Sequence, residues 1–389
     1  MNFDFRLRQL ELDGLTRHRR VVDSPQGTAL TIEGKSYLAF SSNDYLGLAN
    51  HPMLIAAAQW GAATYGVGGA ASHLVCGHST PHEVLEEALA AFVRLPRALY
   101  FSTGYMAAVG VIPALVGPGD AVFSDTLNHA CLIDGIRLSK ADVNVYPHLD
   151  MATLEESLAQ CRSVNKLVVS DAVFSMDGDL APIPQLLALC ERYDAWLLLD
   201  DAHGFGVLGE DGRGSLSHFG VSSPRILYMG TLGKAAGVFG AFIAGEPDAI
   251  EWLLQRARTY VFTTAAPPML AIAVTESLQL IEQGGWRRTR LRESIAQLRK
   301  GLMDLPWKHL HSNTPIQPLI IGENRAVTEL GEALLKRGIW VSTIRPPTVP
   351  QGTARLRISL SANHTPKDIA WLVESLRESA LQPELAVNI

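Results

Sequence analysis

Between residues 97 and 244, short apolar runs alternate with helical segments, and this alternation limits the fold more than any other feature of the chain. The seven runs that have the length and composition of β-strands are 97–102, 120–124, 141–147, 166–174, 195–200, 225–230 and 240–244. Helical stretches such as 127–139, 154–161 and 183–193 lie between several of them. Strands and helices that alternate in this way form a doubly wound sheet with helices on both faces. We therefore predict an α/β fold with a seven-stranded, mostly parallel sheet.

Three parts of the chain are predicted from the same patterns. Residues 1–45 read as a helix followed by a hairpin, residues 46–285 as the large domain, and residues 286–389 as a small α+β domain. The polar stretch 283–292 is the predicted boundary between the last two. The elements predicted for the small domain are helix 292–302, strand 316–321, helix 326–337, strands 339–344 and 354–360, and helix 366–378.

Composition excludes several classes of function. The net charge of −6 argues against a nucleic-acid surface, and no apolar run reaches transmembrane length. The first residues lack the basic and apolar regions of a signal peptide. The four cysteines are widely spaced and form no Cys-x-x-Cys pair. We therefore expect a cytoplasmic protein without structural disulfides.

Lys234 follows the apolar run 225–230 and stands between glycines. A poorly solvated lysine amine is neutral and nucleophilic, and it can form a Schiff base. Asp200 closes the apolar run 195–200, where a carboxylate needs a cationic partner. The alternative for Asp200 alone is a strand-end residue that caps the next turn. Together the two residues predict a pyridoxal phosphate (PLP) site, with the aldehyde on the lysine and the ring nitrogen on the aspartate.

Three further residues fit such a site, each with a structural alternative. His203 lies three residues after Asp200 and could hydrogen-bond the phenolic oxygen of the cofactor, or serve only the local structure. His129 stands at the start of a helix and could stack on the pyridine ring, with the same alternative. Gly104 lies at a strand–helix junction, where backbone N–H groups can reach a phosphate.

The glycine-rich segment that begins at Gly66 fits a loose dinucleotide pattern, but the stretch before it reads as helix rather than strand. We interpret it as a glycine loop near the active site. His73, Cys76, His78 and His82 follow in the same region without a recognised metal-ligand spacing, so no metal site is predicted.

Two arginines near the C-terminus are candidates for binding a substrate carboxylate. Arg345 precedes a Pro-Pro-Thr-Val-Pro segment, and Arg357 lies on an alternating strand on the same face as Arg355. A guanidinium binds a carboxylate through two parallel hydrogen bonds. The alternative for either residue is a structural ion pair.

The motifs that define a family are spread over nearly the whole chain. They are SSNDYLG at 41–47, FSMDGD at 174–179, DDAHG at 200–204, the glycine-bounded segment 209–214 and TLGK at 231–234. In combination they resemble the α-oxoamine synthases, a PLP-dependent family of the aspartate-aminotransferase fold (fold type I). The segments 344–350 and 352–357 most resemble the members that join L-alanine to a pimeloyl thioester, which is either pimeloyl-CoA or a pimeloyl carrier protein, in biotin biosynthesis.

The resemblance implies a role for each matching residue. Those implied at the cofactor are Lys234 for the Schiff base, Asp200 for the ring nitrogen, His203 and Ser175 for the phenolic oxygen, His129 for stacking, and Gly104 and Tyr105 for the phosphate. Thr231 is implied either to bind the phosphate or to hold the turn of Lys234. Those implied for the substrates are Asn43, Arg357 and Arg345 for the amino-acid carboxylate, and Thr348 with Arg17 for the acyl chain. Arg19 is an alternative to Arg17.

The resemblance also implies a transferase that decarboxylates the condensation product and works as a homodimer with shared active sites. Segment 263–268 would approach the cofactor of the partner subunit. The nearest alternative is a sister synthase that uses glycine with an acetyl or succinyl thioester. A nucleotide-dependent dehydrogenase would leave Lys234 unexplained, and the intact set of Lys234, Asp200 and His203 argues against a catalytically silent binding protein.

Overall fold

The computed structural model describes residues 1–381, which fall into two compact units. The larger unit contains Leu48–Ser175 and Leu180–Gly285. The smaller unit contains Met1–Gly47, the short insertion Met176–Asp179, and the chain from Trp286 onward. The last eight residues of the predicted domain 286–389 lie outside the described part of the chain.

The elements are numbered in chain order. The helices are α1 Phe3–Leu12, α2 Pro52–Tyr65, α3 Thr80–Val93, α4 Gly104–Leu115, α5 Ala130–Ser139, α6 Met151–Gln160, α7 Ile183–Arg192, α8 Ser215–Phe219, α9 Pro247–Arg256, α10 Arg258–Val261, α11 Pro268–Gln283, α12 Gly285–Leu302, α13 Asn324–Lys336 and α14 Pro366–Ala380. The strands are β1 Ala29–Ile32, β2 Lys35–Phe40, β3 Arg97–Phe101, β4 Ala121–Asp125, β5 Asp142–Tyr146, β6 Lys166–Asp171, β7 Trp196–Asp200, β8 Ile226–Thr231, β9 Ala241–Gly245, β10 Lys308–His309, β11 Ile316–Gly322, β12 Ile339–Ile344 and β13 Ala354–Ser359. A single π-helical turn, His73–Gly77, lies between α2 and α3.

The larger unit is built on a seven-stranded sheet in the order β3-β9-β8-β7-β6-β4-β5. Four of its strand pairs are parallel, whereas β9 runs antiparallel to both β8 and β3. All seven predicted strands are present, so the prediction of a mostly parallel sheet is confirmed. The central strands are apolar throughout because helices cover both faces of such a sheet.

The core of the larger unit lies between this sheet and its helices. Val169, Leu198 and Leu227 on the strands are buried in one cluster with Val111 of α4 and Ile136 of α5. Each such side chain contributes roughly 1.5–3 kcal/mol by leaving water. The cluster therefore fixes the helices against the sheet and, with them, the loops that follow the strands.

Three parallel strands of the larger unit end in an aspartate. Asp125, Asp171 and Asp200 are the last residues of β4, β6 and β7, and all three are buried. In open α/β sheets the ligand site lies outside the carboxyl ends of the strands. This edge therefore gathers three buried carboxyl groups.

The smaller unit is built on a six-stranded sheet in the order β1-β2-β12-β13-β11-β10. Strand β2 pairs in parallel with β12, so the N-terminal hairpin and the C-terminal elements form one sheet. Residues 1–45 and 286–389 were predicted as separate parts, whereas in the structure they belong to one unit. A pairing across about 300 residues leaves no trace in a local pattern.

The division between the two units falls at Gly285, inside the polar stretch 283–292, and α12 begins there and runs through the rest of the stretch. Although this stretch is polar, it forms a helix that packs against the rest of the unit. Arg287 is buried and donates a hydrogen bond to the Leu46 carbonyl at 2.8 Å. Within residues 1–381, no helix combines the length and the hydropathy that crossing a membrane requires.

Candidate active site

Lys234 lies in a tight loop that follows β8. The loop is closed by hydrogen bonds from Leu232 N–H to the Gly240 carbonyl and from Val238 N–H to the Leu232 carbonyl. Gly237 has a φ of +70°, and a Cβ at this position would lie 2.6 Å from the backbone of Leu48. The loop therefore requires this glycine, and its closure holds the lysine at the end of the sheet.

The amine of Lys234 is in contact with His203. The Nζ atom of Lys234 lies 2.9 Å from Nε2 of His203, which is only 5% exposed. His203 lies in the turns that follow β7, so two neighbouring strands deliver the two side chains to one point. The structure thus brings together two of the predicted site residues.

Asp200 is a carboxylate with almost no access to water, at 3% exposure. Its Oδ1 atom accepts a hydrogen bond from Ala202 N–H at 2.9 Å. Burial raises its pKa, while the charges of Lys234 and His129 act in the opposite direction. The structure therefore places close to the lysine a buried carboxyl group whose charged form a cationic partner would stabilise.

His129 caps the N-terminus of α5, since its side chain accepts a hydrogen bond from Cys131 N–H. The predicted helix 127–139 accordingly begins later, at Ala130. Nδ1 of His129 lies 2.9 Å from Sγ of Cys131, and Sγ lies 4.0 Å from Oδ2 of Asp200. Burial lowers the pKa of His129, so the ring is neutral at pH 7. A neutral flat ring beside Asp200 is consistent with stacking on a cofactor, which stays a prediction.

Three residues that hold this arrangement were not predicted from the sequence. Asp171 lies opposite Asp200 in the β6–β7 register, and its carboxylate accepts a hydrogen bond from His129 N–H at 2.6 Å. Asn128 donates to the Val169 carbonyl at 2.8 Å and accepts from Asp171 N–H at 2.9 Å. Cys131 is the third. A strand that ends in aspartate was the available indication for Asp171, because β6 and β7 share this feature.

Asp201 is fully buried and lies next to the site. Its Oδ2 atom accepts hydrogen bonds from Ser215 N–H at 2.6 Å and from the Tyr228 hydroxyl at 2.8 Å. The pKa of Asp201 is raised to about 7, because the effect of burial exceeds the opposite effect of these hydrogen bonds. Asp201 ties the loop after β7 to α8 and β8.

Gly104 begins α4 and faces Thr231 at the end of β8. A Cβ added to Gly104 would lie 4.0 Å from the hydroxyl oxygen of Thr231. Thr103 caps the helix by accepting from Met106 N–H at 3.1 Å. The remaining first-turn N–H groups have no partner within the helix, and they carry partial positive charge. This is the geometry of a phosphate site.

Two other predicted cofactor residues lie close to these elements in the chain. Tyr105 follows Gly104, is 49% exposed, and donates its hydroxyl to the Asp134 carboxylate. Ser175 is partly buried and follows β6 by four residues. Their contacts with a cofactor stay predictions.

In the smaller unit, Arg357 and Asn43 are in direct contact. Arg357 is 5% exposed, and its Nη1 atom donates to Asn43 Oδ1 at 3.1 Å and to Ser359 Oγ at 2.8 Å. Nη2 lies 3.4 Å from the Tyr45 hydroxyl. These acceptors are neutral, and they fix the plane of the guanidinium. Arg355, two residues earlier, instead pairs with the Asp177 carboxylate at 2.7 Å.

Of the other predicted substrate residues of this unit, Arg345 is partly exposed, and Arg17 and Thr348 are exposed. Arg345 donates to the carbonyls of Gly14 at 2.5 Å and of Thr16 at 3.5 Å. Its guanidinium therefore fixes the segment that carries Arg17, which is itself exposed. Thr348 is exposed and donates its N–H to the Arg345 carbonyl at 3.1 Å.

Known proteins are similar to this chain in sequence. The family model described as aminotransferase class I and II matches residues 35–376. The 8-amino-7-oxononanoate synthase of Nitrosospira multiformis is 61% identical over 364 residues, which cover 94% of this chain and 92% of that protein. The 8-amino-7-oxononanoate synthase of Nitrosomonas eutropha is 58% identical and covers 96% of this chain and 97% of that protein.

Solved structures of related enzymes are also similar to this chain in fold. A serine palmitoyltransferase from S. paucimobilis with a bound PLP–myriocin adduct superposes with a TM-score of 0.93 at 28% identity, over 100% of this chain and 98% of that one. An 8-amino-7-oxononanoate synthase from Francisella tularensis superposes with a TM-score of 0.77 at 30% identity, over 88% of this chain and 98% of that one.

The fold, the lysine and the family model together define a PLP-dependent enzyme of fold type I. The chain belongs to the class I and II aminotransferase family and, within it, to the 8-amino-7-oxononanoate synthases.

The residues present fit PLP. The buried Asp200 favours a protonated ring nitrogen, and the space between Gly104 and Thr231 lies at a helix N-terminus, where a phosphate is stabilised. Asp200 ends β7 and Thr231 ends β8, and Lys234 follows β8 by three residues.

Proposed function

We propose that this chain condenses L-alanine with a pimeloyl thioester to give 8-amino-7-oxononanoate, CO2 and a free thiol, as a step of biotin synthesis. The relatives that support the proposal carry this product in their names. The reaction removes the Cα proton of alanine, joins Cα to the acyl carbonyl carbon and breaks the C–S bond. The carboxylate then leaves as CO2, and a proton returns to the same carbon.

PLP, when bound, supplies an electron-withdrawing ring that stabilises negative charge at Cα. Asp200 keeps the proton on the ring nitrogen, because a buried carboxylate favours a cation beside it. Lys234 binds the cofactor and then acts as the base that takes the Cα proton. His203, 2.9 Å from Nζ, orients the amine for this transfer. This contact is the observation that carries the proposed chemistry.

Arg357 and Asn43 are proposed to bind the carboxylate of alanine. The guanidinium of Arg357 is already held by Asn43, Ser359 and Tyr45, so little rotamer freedom is lost when it binds an anion. Holding the carboxylate fixes the direction of the Cα–H bond, which sets the rate of proton removal. Arg345 is proposed to contribute indirectly, since its guanidinium holds the backbone of the segment before Arg17.

Thr348 and Arg17 are proposed to contact the acyl substrate. Both are exposed, and each has a polar group suited to a thioester or to the distal carboxylate of a pimeloyl chain. The acyl donor is proposed to be pimeloyl-CoA or a pimeloyl-carrier protein, and the latter would add an acyl carrier protein as a partner. We further propose a homodimer with shared sites, in which segment 263–268 approaches the cofactor of the partner subunit. A cytoplasmic location is part of the proposal and rests on cysteine usage.

The proposal is tested by recording the visible absorption of the holoenzyme while L-alanine or glycine is added. We expect the Schiff-base band to shift at lower concentrations of alanine than of glycine, and product to form only with alanine and pimeloyl-CoA or pimeloyl-carrier protein. A preference for glycine would replace the proposal by a glycine-dependent sister synthase.

The matched control is Lys234→Ala. Before amino acid is added, this variant should lack the Schiff-base band, and it should lack turnover. It should retain the circular dichroism of the wild type, because Lys234 is only partly buried and its loop closes through backbone hydrogen bonds. Turnover at the wild-type rate in this variant would end the assignment of Lys234 as the base.

A further inference from the structure

Three histidines of the larger unit lie together, and the proposed chemistry assigns none of them a role. One ring nitrogen from each of His73, His78 and His82 lies within 4.8 Å of the other two. Nδ1 of His73 and Nδ1 of His78 are 2.9 Å apart. Two imidazole nitrogens on one tetrahedral metal ion are about 3.3 Å apart, given metal–nitrogen bonds of about 2.0–2.1 Å, so an ion would replace this ring-to-ring hydrogen bond after a separation of a few tenths of an ångström.

A π-helical turn produces this proximity. His73 begins the turn and His78 directly follows it, and Gly77 N–H donates to the Ser72 carbonyl at 3.0 Å, a bond that spans five residues. Such a turn places residues five apart on one side, whereas an α-helix would separate them. The sequence analysis predicted no metal because the spacing matched no known motif. The π-helical turn creates a spacing that no α-helical or loop motif describes.

The outer hydrogen bonds of two of these histidines match those of metal ligands. Nε2 of His78 lies 3.0 Å from the Glu83 carboxylate, and Nε2 of His82 lies 2.8 Å from the Ala266 carbonyl. When Nε2–H donates to a carboxylate or a carbonyl, the lone pair resides on Nδ1. In this structure Nδ1 of His82 accepts from Ser79 N–H at 3.1 Å, a bond that an ion would replace.

Oxygen ligands also lie beside the histidines. A cavity of about 290 Å³ adjoins the cluster, and its lining includes the carboxyl groups of Glu83 and Glu86. His78, Glu83 and Glu86 form a second group of close ligand atoms.

We propose that His73, His78 and His82 form a binding site for one divalent transition-metal ion, with Glu83 orienting His78. Imidazole ligands select Zn²⁺, Ni²⁺ or Cu²⁺ over Mg²⁺ and Ca²⁺, which prefer oxygen. The ion joins the π-helical turn to α3, so its expected effect is on stability rather than on the chemistry at Lys234.

The test is a Zn²⁺ titration of the holoenzyme, freed of unbound PLP, in competition with a chromophoric chelator. We expect one equivalent of Zn²⁺ to bind per chain and to raise the melting temperature. In His78→Asn and in His73→Gln the affinity should fall at least about tenfold, which corresponds to about 1.4 kcal/mol. Two variants are used because the proposal stays testable if one of them does not fold.

The controls are His218→Asn, an exposed histidine of α8, and Cys76→Ser, an exposed thiol on the same π-helical turn. Both should bind Zn²⁺ like the wild type. The proposal is overturned if the wild type binds less than one equivalent, if both cluster variants keep the wild-type affinity, or if Cys76→Ser alone abolishes binding. Mg²⁺ should not compete with Zn²⁺, and competition at equal concentration would also overturn the proposal.

Discussion

Replacing Asp200 by Asn removes the buried negative charge but keeps the size of the side chain. Asp200 is 3% exposed, and its Oδ1 atom accepts a hydrogen bond from Ala202 N–H at 2.9 Å. An asparagine oxygen can keep that hydrogen bond. The other atom becomes an NH2 group, which donates a hydrogen bond and therefore favours an unprotonated ring nitrogen in the cofactor. The variant thus tests the charge of Asp200 with little change in packing.

The size of the effect follows from the burial of this carboxylate. Two unit charges about 4 Å apart attract by about 4 kcal/mol at an effective dielectric constant of about 20. Losing that attraction lowers the pKa of the ring nitrogen by about 3 units, since one unit corresponds to about 1.36 kcal/mol. If the charge acts fully in the transition state, kcat falls on the order of 1000-fold.

The assay is steady-state turnover of L-alanine, with cofactor content measured from the absorption spectrum. The apoprotein of Asp200→Asn should melt no lower than the wild-type apoprotein, because burial already disfavours the charged form of Asp200. The matched control is Asp201→Asn, which should keep kcat within a few-fold. The reasoning is refuted if cofactor-loaded Asp200→Asn turns over at a rate near that of the wild type.

Three further predictions concern other parts of the site. Arg357→Lys should raise the KM for alanine about 10- to 100-fold, because one charge-assisted hydrogen bond worth roughly 1.5–3 kcal/mol is lost. The control is Arg355→Lys, which should leave that KM within a few-fold because Arg355 pairs with Asp177. Asp201 has a pKa raised from 3.8 to about 7, so its contribution to stability is present below pH 4 and is lost as the pH rises through 7. The melting temperature of Asp201→Asn should vary less with pH in this window, and an unchanged profile would contradict the assignment. Gly104→Val should weaken PLP binding by about tenfold or more, because the valine side chain fills the space that faces Thr231. Equilibrium dialysis measures this binding. Unchanged binding would show that the phosphate does not lie beside Gly104.

The sequence alone predicted the large sheet and the centre of the site. Seven apolar runs predict seven strands because a strand buried on both faces must be apolar along its length. Lys234 and His203 were predicted because they follow such runs and Asp200 because it ends one, and the ends of parallel strands meet at one edge of the sheet. These inferences need only local composition and one rule of topology.

The tertiary structure decided what depends on pairing between distant segments. The parallel pairing of β2 with β12 joins the N-terminal hairpin to the C-terminal elements. The register that sets Asp171 beside Asp200 is a property of two paired strands, and neither strand contains it alone.

Side-chain partners were decided in the same way. Arg345 was predicted to bind a substrate carboxylate, and the structure shows its guanidinium on the carbonyls of Gly14 and Thr16. His73 and His78 meet because a π-helical turn replaces an ordinary loop. The local sequence determines how apolar a segment is and with what period its apolar residues recur. The hydrogen-bond partner of a polar group depends on the whole fold, because a buried donor or acceptor must be satisfied by whichever segment packs against it.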